Sequence, residues 1–132
     1  MQPDVTDAEL AVLKLLWDGG EKTIRQLADV LYPGGETAHY ATVQKLLERL
    51  ERKRCVARRP EGRVNVFTAR IQRDVLIARR LRDTAERLCG GSLTPLLTQL
   101  VSESDLSEQD LKDLRTLVER LDVERGGKGR GR

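Results

Sequence analysis

The part of the sequence that decides the fold reads TAHYATVQKLLERLERKRCVARRPEGRVNVFTA, over residues 37–69. Its apolar residues recur at helical spacing over residues 38–53, which predicts an amphipathic helix. A short hairpin is predicted next, with strands over 56–59 and 63–68 and a Pro-Glu-Gly turn at 60–62. A helix that can enter a groove, with a cationic β-ribbon beside it, is an arrangement that small proteins use to grip duplex DNA.

Positive charge is concentrated in this same segment. Residues 38–63 hold eight Lys or Arg against three Glu, a net charge of +5, whereas the whole chain of 132 residues carries +3. A local excess of this kind indicates a surface for a polyanion. The two acids within the helix, Glu48 and Glu51, are expected to lie on an ordinary solvated face.

Composition narrows the class of protein. Charged residues make up 34% of the chain and aromatic residues 3%, which suits a helical protein better than a β-sandwich. The two cysteines, Cys55 and Cys89, match no metal or redox spacing, so we expect reduced thiols, with an intersubunit or regulatory disulfide as the alternative. The chain lacks a secretory signal pattern and any apolar run near the ~20 residues that span a bilayer, so we expect a cytoplasmic protein without membrane insertion.

Two further helices are predicted before residue 37. Thr6 and Glu9 fit a capping box that begins the first helix, and a Gly-Gly pair at 19–20 ends it. Thr23 caps the second helix, which ends at the Pro-Gly-Gly of residues 33–35. Trp17 lies on the apolar stripe of the first helix, so it is expected to anchor the core rather than to stack on a base.

Three helices followed by a hairpin predict a mostly α fold, a winged helix-turn-helix with a two-stranded β wing, over residues 1–70. The third helix would lie in the major groove. In the wing, Val56 is expected to pair with Val64 or Val66. The inner face of the third helix is expected to carry Tyr40, Val43, Leu46, Leu47 and Leu50.

The opposite face of the third helix is small, polar and basic. Thr42 offers a methyl or hydroxyl contact, Gln44 and Lys45 hydrogen bonds to bases, and Arg49 a bond to a phosphate or a guanine. The wing arginines suit phosphate or minor-groove contacts, and the alternative for all of these side chains is a solvated face. The predicted DNA-binding residues are Ala38, His39, Tyr40, Ala41, Thr42, Gln44, Lys45, Arg49, Arg58, Arg59 and Arg63.

The sequence offers no candidate for catalysis or for a cofactor. His39 is the only histidine and has no ligand at metal spacing, so a groove-edge or phosphate contact, or simple exposure, is expected instead of a metal site. For Tyr40, core packing and a phosphate contact are both open. No Ser/His/Asp or Cys/His set and no phosphate loop is apparent, so we do not expect an enzyme.

Beyond residue 70 the chain changes character. Apolar helical stripes over residues 71–124 have little else to pack on, which predicts a helical dimerisation region. Ser107 is expected to cap the last helix. The basic, Gly-rich residues 125–132 are expected to be disordered. The predicted dimerisation residues are Leu88, Leu93, Leu96, Leu97, Leu100, Leu111, Leu114, Leu117, Val118 and Leu121.

Several motifs, in this order and spacing, resemble the penicillinase-repressor and methicillin-resistance-repressor family of bacterial transcription factors. They are TDAELAVL with Leu16-Trp17, TVQKLLERL at 42–50 and EGRVNVFT at 61–68, with weaker matches at 91–93 and 106–108. The resemblance covers roughly residues 6–121. It implies a homodimeric repressor that binds a dyad-symmetric operator in double-stranded DNA and blocks transcription.

The resemblance also implies how such a repressor is released. In the best-known members a membrane sensor protease system responds to β-lactam, and the repressor is cleaved in its C-terminal region at an Asn-Phe bond. The matching positions here are Gln99 and Leu100, a departure from that pattern. The alternatives are a winged-helix regulator that senses a small ligand directly and a winged-helix module for protein interaction.

Overall fold

A computed structural model describes residues 4–103 and 106–129. Three helices and a hairpin come first, which confirms the winged helix-turn-helix, and three more helices follow. The elements are α1 (Asp7–Gly19), β1 (Lys22–Thr23), α2 (Ile24–Leu31), α3 (Thr37–Arg52), β2 (Val56–Glu61), β3 (Val64–Ala69), α4 (Arg73–Cys89), α5 (Thr94–Glu103) and α6 (Glu108–Gly129).

The first two helices begin as their sequences predict. The Thr6 hydroxyl accepts from the Glu9 N–H at 3.2 Å, and the Glu9 carboxylate accepts from the Thr6 N–H at 2.9 Å. Thr23 and Gln26 form the same reciprocal pair at the start of α2. Each box satisfies two backbone donors that a helix N-terminus leaves unpaired. Gly20 follows α1 at φ 77°, a conformation that glycine adopts without strain.

One apolar core joins the first three helices to the sheet. Its fully buried members come from all three helices, from β2 and β3 and from the residue before β2, and they are Val12, Leu13, Leu27, Ala28, Val43, Leu47, Leu50, Cys55, Val56 and Phe67. Trp17 packs against this core, as expected, and its indole Nε1 donates to the Ile71 carbonyl at 2.8 Å. The core therefore fixes α3 against the sheet that carries the wing.

The sheet differs from the sequence prediction in three ways. It has a third strand, β1, and the order is β1-β3-β2. The turn is the two-residue Gly62–Arg63 rather than Pro-Glu-Gly, and Val56 pairs with Ala69 instead of Val64 or Val66. Gly62 has φ 63°, which suits the first position of a type II′ hairpin turn. Pro60 is tolerated within β2 because β2 is an edge strand.

The chain divides into two compact units, residues 1–80 and 81–132, later than the boundary expected after residue 70. The reason is that Ile71 and Leu76 are buried in the core of the first unit. In the second unit Ser107 caps α6 as predicted, because its hydroxyl accepts from the Asp110 N–H at 3.0 Å. Within the described residues no helix is both long and apolar enough to cross a membrane.

The C-terminal tail also differs from expectation. α6 continues to Gly129, whereas residues 125–132 are expected to be disordered, and residues 130–132 lie outside the described part of the chain. Extending an existing helix costs far less than nucleating one, and α6 already has many residues when it reaches Gly126. A glycine there weakens the helix by about 1 kcal/mol relative to alanine without ending it.

Candidate nucleic-acid interface

The outer face of α3 is exposed over its whole predicted length. Val43, Leu46, Leu47 and Leu50 are buried on the opposite side, so the helix is divided as the 3.6-residue period predicted. Two of the outer positions are alanines, which let a helix backbone approach a neighbouring surface closely. The exposed side chains of this face are Ala38, Ala41, Thr42, Gln44, Lys45 and Arg49.

The polar side chains of this face differ in how far they are already engaged. The Thr42 hydroxyl donates to the Ala38 carbonyl at 3.0 Å, which leaves its methyl group and oxygen lone pairs for a partner. Gln44 donates to Glu48 over a long 3.4 Å on the exposed surface. Neither Lys45 nor Arg49 has a side-chain hydrogen bond or ion pair within the described residues. These two cations are therefore available to an anion, as is Arg52 in the last turn of α3, which is likewise exposed and unpaired within the described residues.

The aromatic residues at the start of α3 are half-buried. The His39 ring stacks on Tyr32, with centroids 5.0 Å apart and an interplanar angle of 23°. Its Nε2 lies 3.9 Å from the Glu36 carboxylate. Tyr40 packs against the core and also lines a surface cleft. His39 is thus held by its neighbours on the turn before α3, while Tyr40 reaches both the core and the surface.

A cleft separates the start of α2 from the tip of the wing. Arg25 and Arg63 stand on its two sides, and the N-terminal end of α2, which carries a partial positive charge, opens into it. Sequence reasoning missed Arg25, although its place two residues after the Thr23 cap could have indicated it. The residues that line the cleft are Thr23, Ile24, Arg25, Tyr40, Arg63, Val64 and Asn65.

The three wing arginines have different environments. Arg58 forms a two-point ion pair with Glu51, in which its Nε donates to one carboxylate oxygen at 2.8 Å and its Nη2 contacts the other. Arg59 pairs with Glu21 at 2.7 Å and with Glu61 at 3.2 Å. Arg63 lies in the turn and has no side-chain partner within the described residues. Glu51, which is expected to lie on a solvated face, is the surface partner of Arg58.

The ion pairs shift the ionisation of their members in the expected directions. Hydrogen bonds from Arg58 hold the pKa of the Glu51 carboxyl below its usual range, although partial burial opposes this. The same bonds raise the pKa of Arg58, and the Glu21 carboxylate raises that of Arg59. The local charge that the sequence analysis counted as one patch is thus partly neutralised inside the protein.

The predicted dimerisation residues lie in the second unit, where most of them are exposed. Leu96 and Leu114 are half-buried, and the other eight are exposed on the single chain. Gln99 and Leu100, the predicted cleavage positions, are both exposed and lie inside α5. Both cysteines are free thiols, and burial raises the pKa of the Cys55 thiol above its usual value.

A helix-turn-helix with an adjacent β wing defines the winged-helix class, whose members include many regulators of transcription. The sequence profile described as "Penicillinase repressor" matches residues 5–120 of the chain. The chain belongs to this family, so it is a winged-helix transcriptional repressor and not an enzyme.

Two curated proteins illustrate the similarity. The chain is 26% identical over 119 residues to the penicillinase repressor of Bacillus licheniformis, covering 89% of this chain and 91% of that protein. It is 27% identical over 115 residues to an uncharacterized 16.5 kDa protein in the ptsI 3' region of Latilactobacillus sakei, covering 87% of this chain and 78% of that protein. Among solved structures, the apo C30AH42A mutant of Lactococcus lactis ZitR aligns with a TM-score of 0.44 and 16% identity, covering 91% of this chain and 83% of that chain.

Proposed function

We propose that the protein is a homodimeric repressor that binds a dyad-symmetric DNA operator through α3 and the wing, and that is released through its C-terminal region. The observation that carries the proposal is the outer face of α3, where Lys45 and Arg49 are exposed beside two alanines and are free of partners within the described residues. An exposed cation without an internal partner gains most from a phosphate or a base edge.

The proposed contacts divide into those that read bases and those that position the protein. A major groove about 12 Å wide admits an α-helix, so Thr42, Gln44 and Lys45 would face base edges. Arg49 would reach a phosphate or a guanine. Arg63 at the wing tip would meet the sugar-phosphate backbone. Arg25, on the other side of the cleft, is added to the predicted set as a second phosphate contact.

Dimerisation is supported by the apolar face of α6. Leu111, Leu114, Val118 and Leu121 follow one another at intervals of three, four and three residues, which is the spacing of a coiled-coil seam. Three of these four side chains are exposed on the single chain. Exposed apolar rows of this length usually mark a protein interface, and a second copy of the chain offers an identical row.

Release would follow from loss of the dimer. Two linked winged-helix units bind an operator far more tightly than one. A change that separates the two protomers therefore lowers the affinity for DNA without altering α3. The bond between Gln99 and Leu100 lies within α5, so a protease, such as a membrane sensor protease, would have to unwind part of that helix before cutting.

A selection from a random-sequence duplex library tests the proposal directly. Purified full-length protein is expected to enrich an inverted repeat whose half-sites are about 10 base pairs apart, or a multiple of that, since recognition helices of a dimer meet the groove one helical turn apart. The double variant Lys45→Ala/Arg49→Ala serves as the control and should not enrich the same sequence. Failure of the wild-type protein to enrich any sequence would contradict the proposal.

A further inference from the structure

The Glu51–Arg58 pair joins the last turn of α3 to the wing. Arg58 lies directly opposite Phe67 in the β2–β3 ladder, so both side chains leave the sheet on the same face. Phe67 is buried in the core, and the Arg58 guanidinium lies over its ring, 5.5 Å from the centroid. In this position the guanidinium donates hydrogen bonds to both oxygens of the Glu51 carboxylate.

We infer that Glu51 and Arg58 form a clasp that fixes the wing at one angle to α3, and that the pair sets operator specificity by positioning rather than by touching DNA. The inference rests on the proposed function, in which α3 and the wing bind the same duplex. It also removes Arg58 from the predicted phosphate contacts and gives Glu51 a role that sequence reasoning did not.

The clasp holds β2, an edge strand that has a hydrogen-bonded neighbour on one side only. That neighbour is β3, and Arg58 lies in the middle of β2. At about 3.3 Å per residue, the four residues from Arg58 to the turn at Gly62 span roughly 13 Å. A rotation of about 10° at Arg58 would therefore displace the wing tip by roughly 2 Å. This is several times the range of about 0.5 Å over which hydrogen-bond lengths vary.

The geometry favours a fixed clasp over a loose surface pair. Two parallel donor–acceptor contacts define the orientation of a guanidinium as well as its distance. The Phe67 ring beneath it restricts the remaining freedom and adds a cation–π attraction. Because Glu51 already neutralises Arg58, this arginine attracts a phosphate much less than Arg63 does.

The experiment compares two duplexes, one recovered by the wild-type protein in the selection and one with its sequence shuffled. Arg58→Gln and Glu51→Gln each remove the clasp and should weaken binding to the recovered duplex roughly tenfold, within the range of coupled side-chain pairs, with little change for the shuffled duplex. The swap Glu51→Arg/Arg58→Glu keeps the net charge and should restore most of the affinity. In Arg58→Gln the slope of log affinity against log salt concentration should equal that of the wild-type protein, because no phosphate contact is lost.

The opposite pattern would overturn the inference. If Arg58 touches a phosphate, Arg58→Gln weakens both duplexes alike and lowers the salt slope by about 0.9, and the swap restores nothing. The matched control is Arg73→Gln. Arg73 likewise pairs with an acid, Asp18 at 2.7 Å, and lies 5.2 Å from the centroid of an aromatic ring, that of Trp17, but it touches neither α3 nor the wing.

A measurement without DNA separates failure of the clasp from failure of the proposed function. Spin labels are placed at Ala41→Cys on α3 and Val64→Cys on the wing, in a Cys55→Ala/Cys89→Ser background. The label-to-label distance distribution should broaden in Arg58→Gln and in Glu51→Gln and stay narrow in Arg73→Gln. Unchanged distributions in both clasp variants would contradict the clasp, whether or not the wild-type protein selects a sequence.

Discussion

The Lys53 ammonium lies 2.6 Å from the Glu9 carboxylate, and this contact joins the start of α1 to the residue that follows α3. Glu9 is fully buried, whereas Lys53 is partly exposed and also donates to the Asp4 carbonyl at 2.7 Å. The Glu9 carboxylate also completes the capping box of α1. The buried Glu9 carboxylate therefore links α1 to the end of α3, the helix whose outer face is proposed to bind DNA.

Removing the lysine should be more damaging than removing both charges. Lys53→Ala leaves a buried carboxylate without its cation, and we expect the free energy of unfolding to fall by about 3 kcal/mol. Lys53→Ala/Glu9→Gln leaves a neutral amide, so it should lose less stability than Lys53→Ala alone, and therefore less than the sum of the single variants. Urea unfolding measures both, with the exposed Lys14→Ala as the control. Strict additivity would show that the two groups are not coupled.

The same pair predicts how stability depends on pH. Burial alone would raise the pKa of Glu9, but hydrogen bonds from Lys53 and Thr6 hold it below the ordinary value. A carboxyl with a lowered pKa in the folded state stabilises the fold above its unfolded pKa, about 4.3, and loses that contribution as the pH falls through the folded value. Unfolding free energy should therefore drop more steeply below about pH 4.3 in wild type than in Glu9→Gln. Parallel pH profiles would contradict this.

Local patterns in the sequence predicted the helices and their beginnings well. The capping boxes of α1 and α2 depend on residues three apart, and the buried face of α3 depends on a period of 3.6, so both can be read from neighbours in the chain. The order of elements then identified the winged helix. The family resemblance, which the profile match confirms, rests on motifs of the same local kind.

Contacts between distant residues could not be predicted in the same way. β1 is only two residues long and exists because Lys22 and Thr23 meet β3 some forty residues later. The partner of Arg58 depends on the strand register, and a one-residue change of register sends a side chain to the other face of the sheet. A count of charges along the sequence therefore treats Arg58 and Arg63 alike. In the fold Arg58 is paired with Glu51, whereas Arg63 has no partner within the described residues.

Lys45 gives the sharpest test of base reading by α3. Lys45→Ala should weaken binding to a selected duplex by about 1–3 kcal/mol and relax the sequence preference at one position of each half-site. Lys14→Ala removes the same charge from an exposed site on α1 and is the matched control. Binding isotherms and a repeated selection provide the measurement. An unchanged preference would remove Lys45 from the base-reading residues.

Arg63 gives the corresponding test for the wing tip. Because it lies in the turn without a partner in the described part of the chain, Arg63→Gln should weaken selected and shuffled duplexes by similar factors. The slope of log affinity against log salt should fall by about 0.9 for each phosphate that the variant no longer neutralises. Affinities measured at several salt concentrations decide this. A slope equal to that of wild type would mean that the wing tip does not touch the DNA backbone.

The apolar face of α6 can be tested without DNA. Leu111→Asp/Val118→Asp places two charges on the proposed seam, and burying them against a second copy would be costly, so the dimer dissociation constant should rise at least about tenfold, or ~1.4 kcal/mol. Thr116→Asp adds a charge to the same helix between the apolar positions and should leave association intact. Sedimentation equilibrium measures both, and circular dichroism confirms that the helices remain. A dimer that persists unchanged in the double variant would move the interface away from this face of α6.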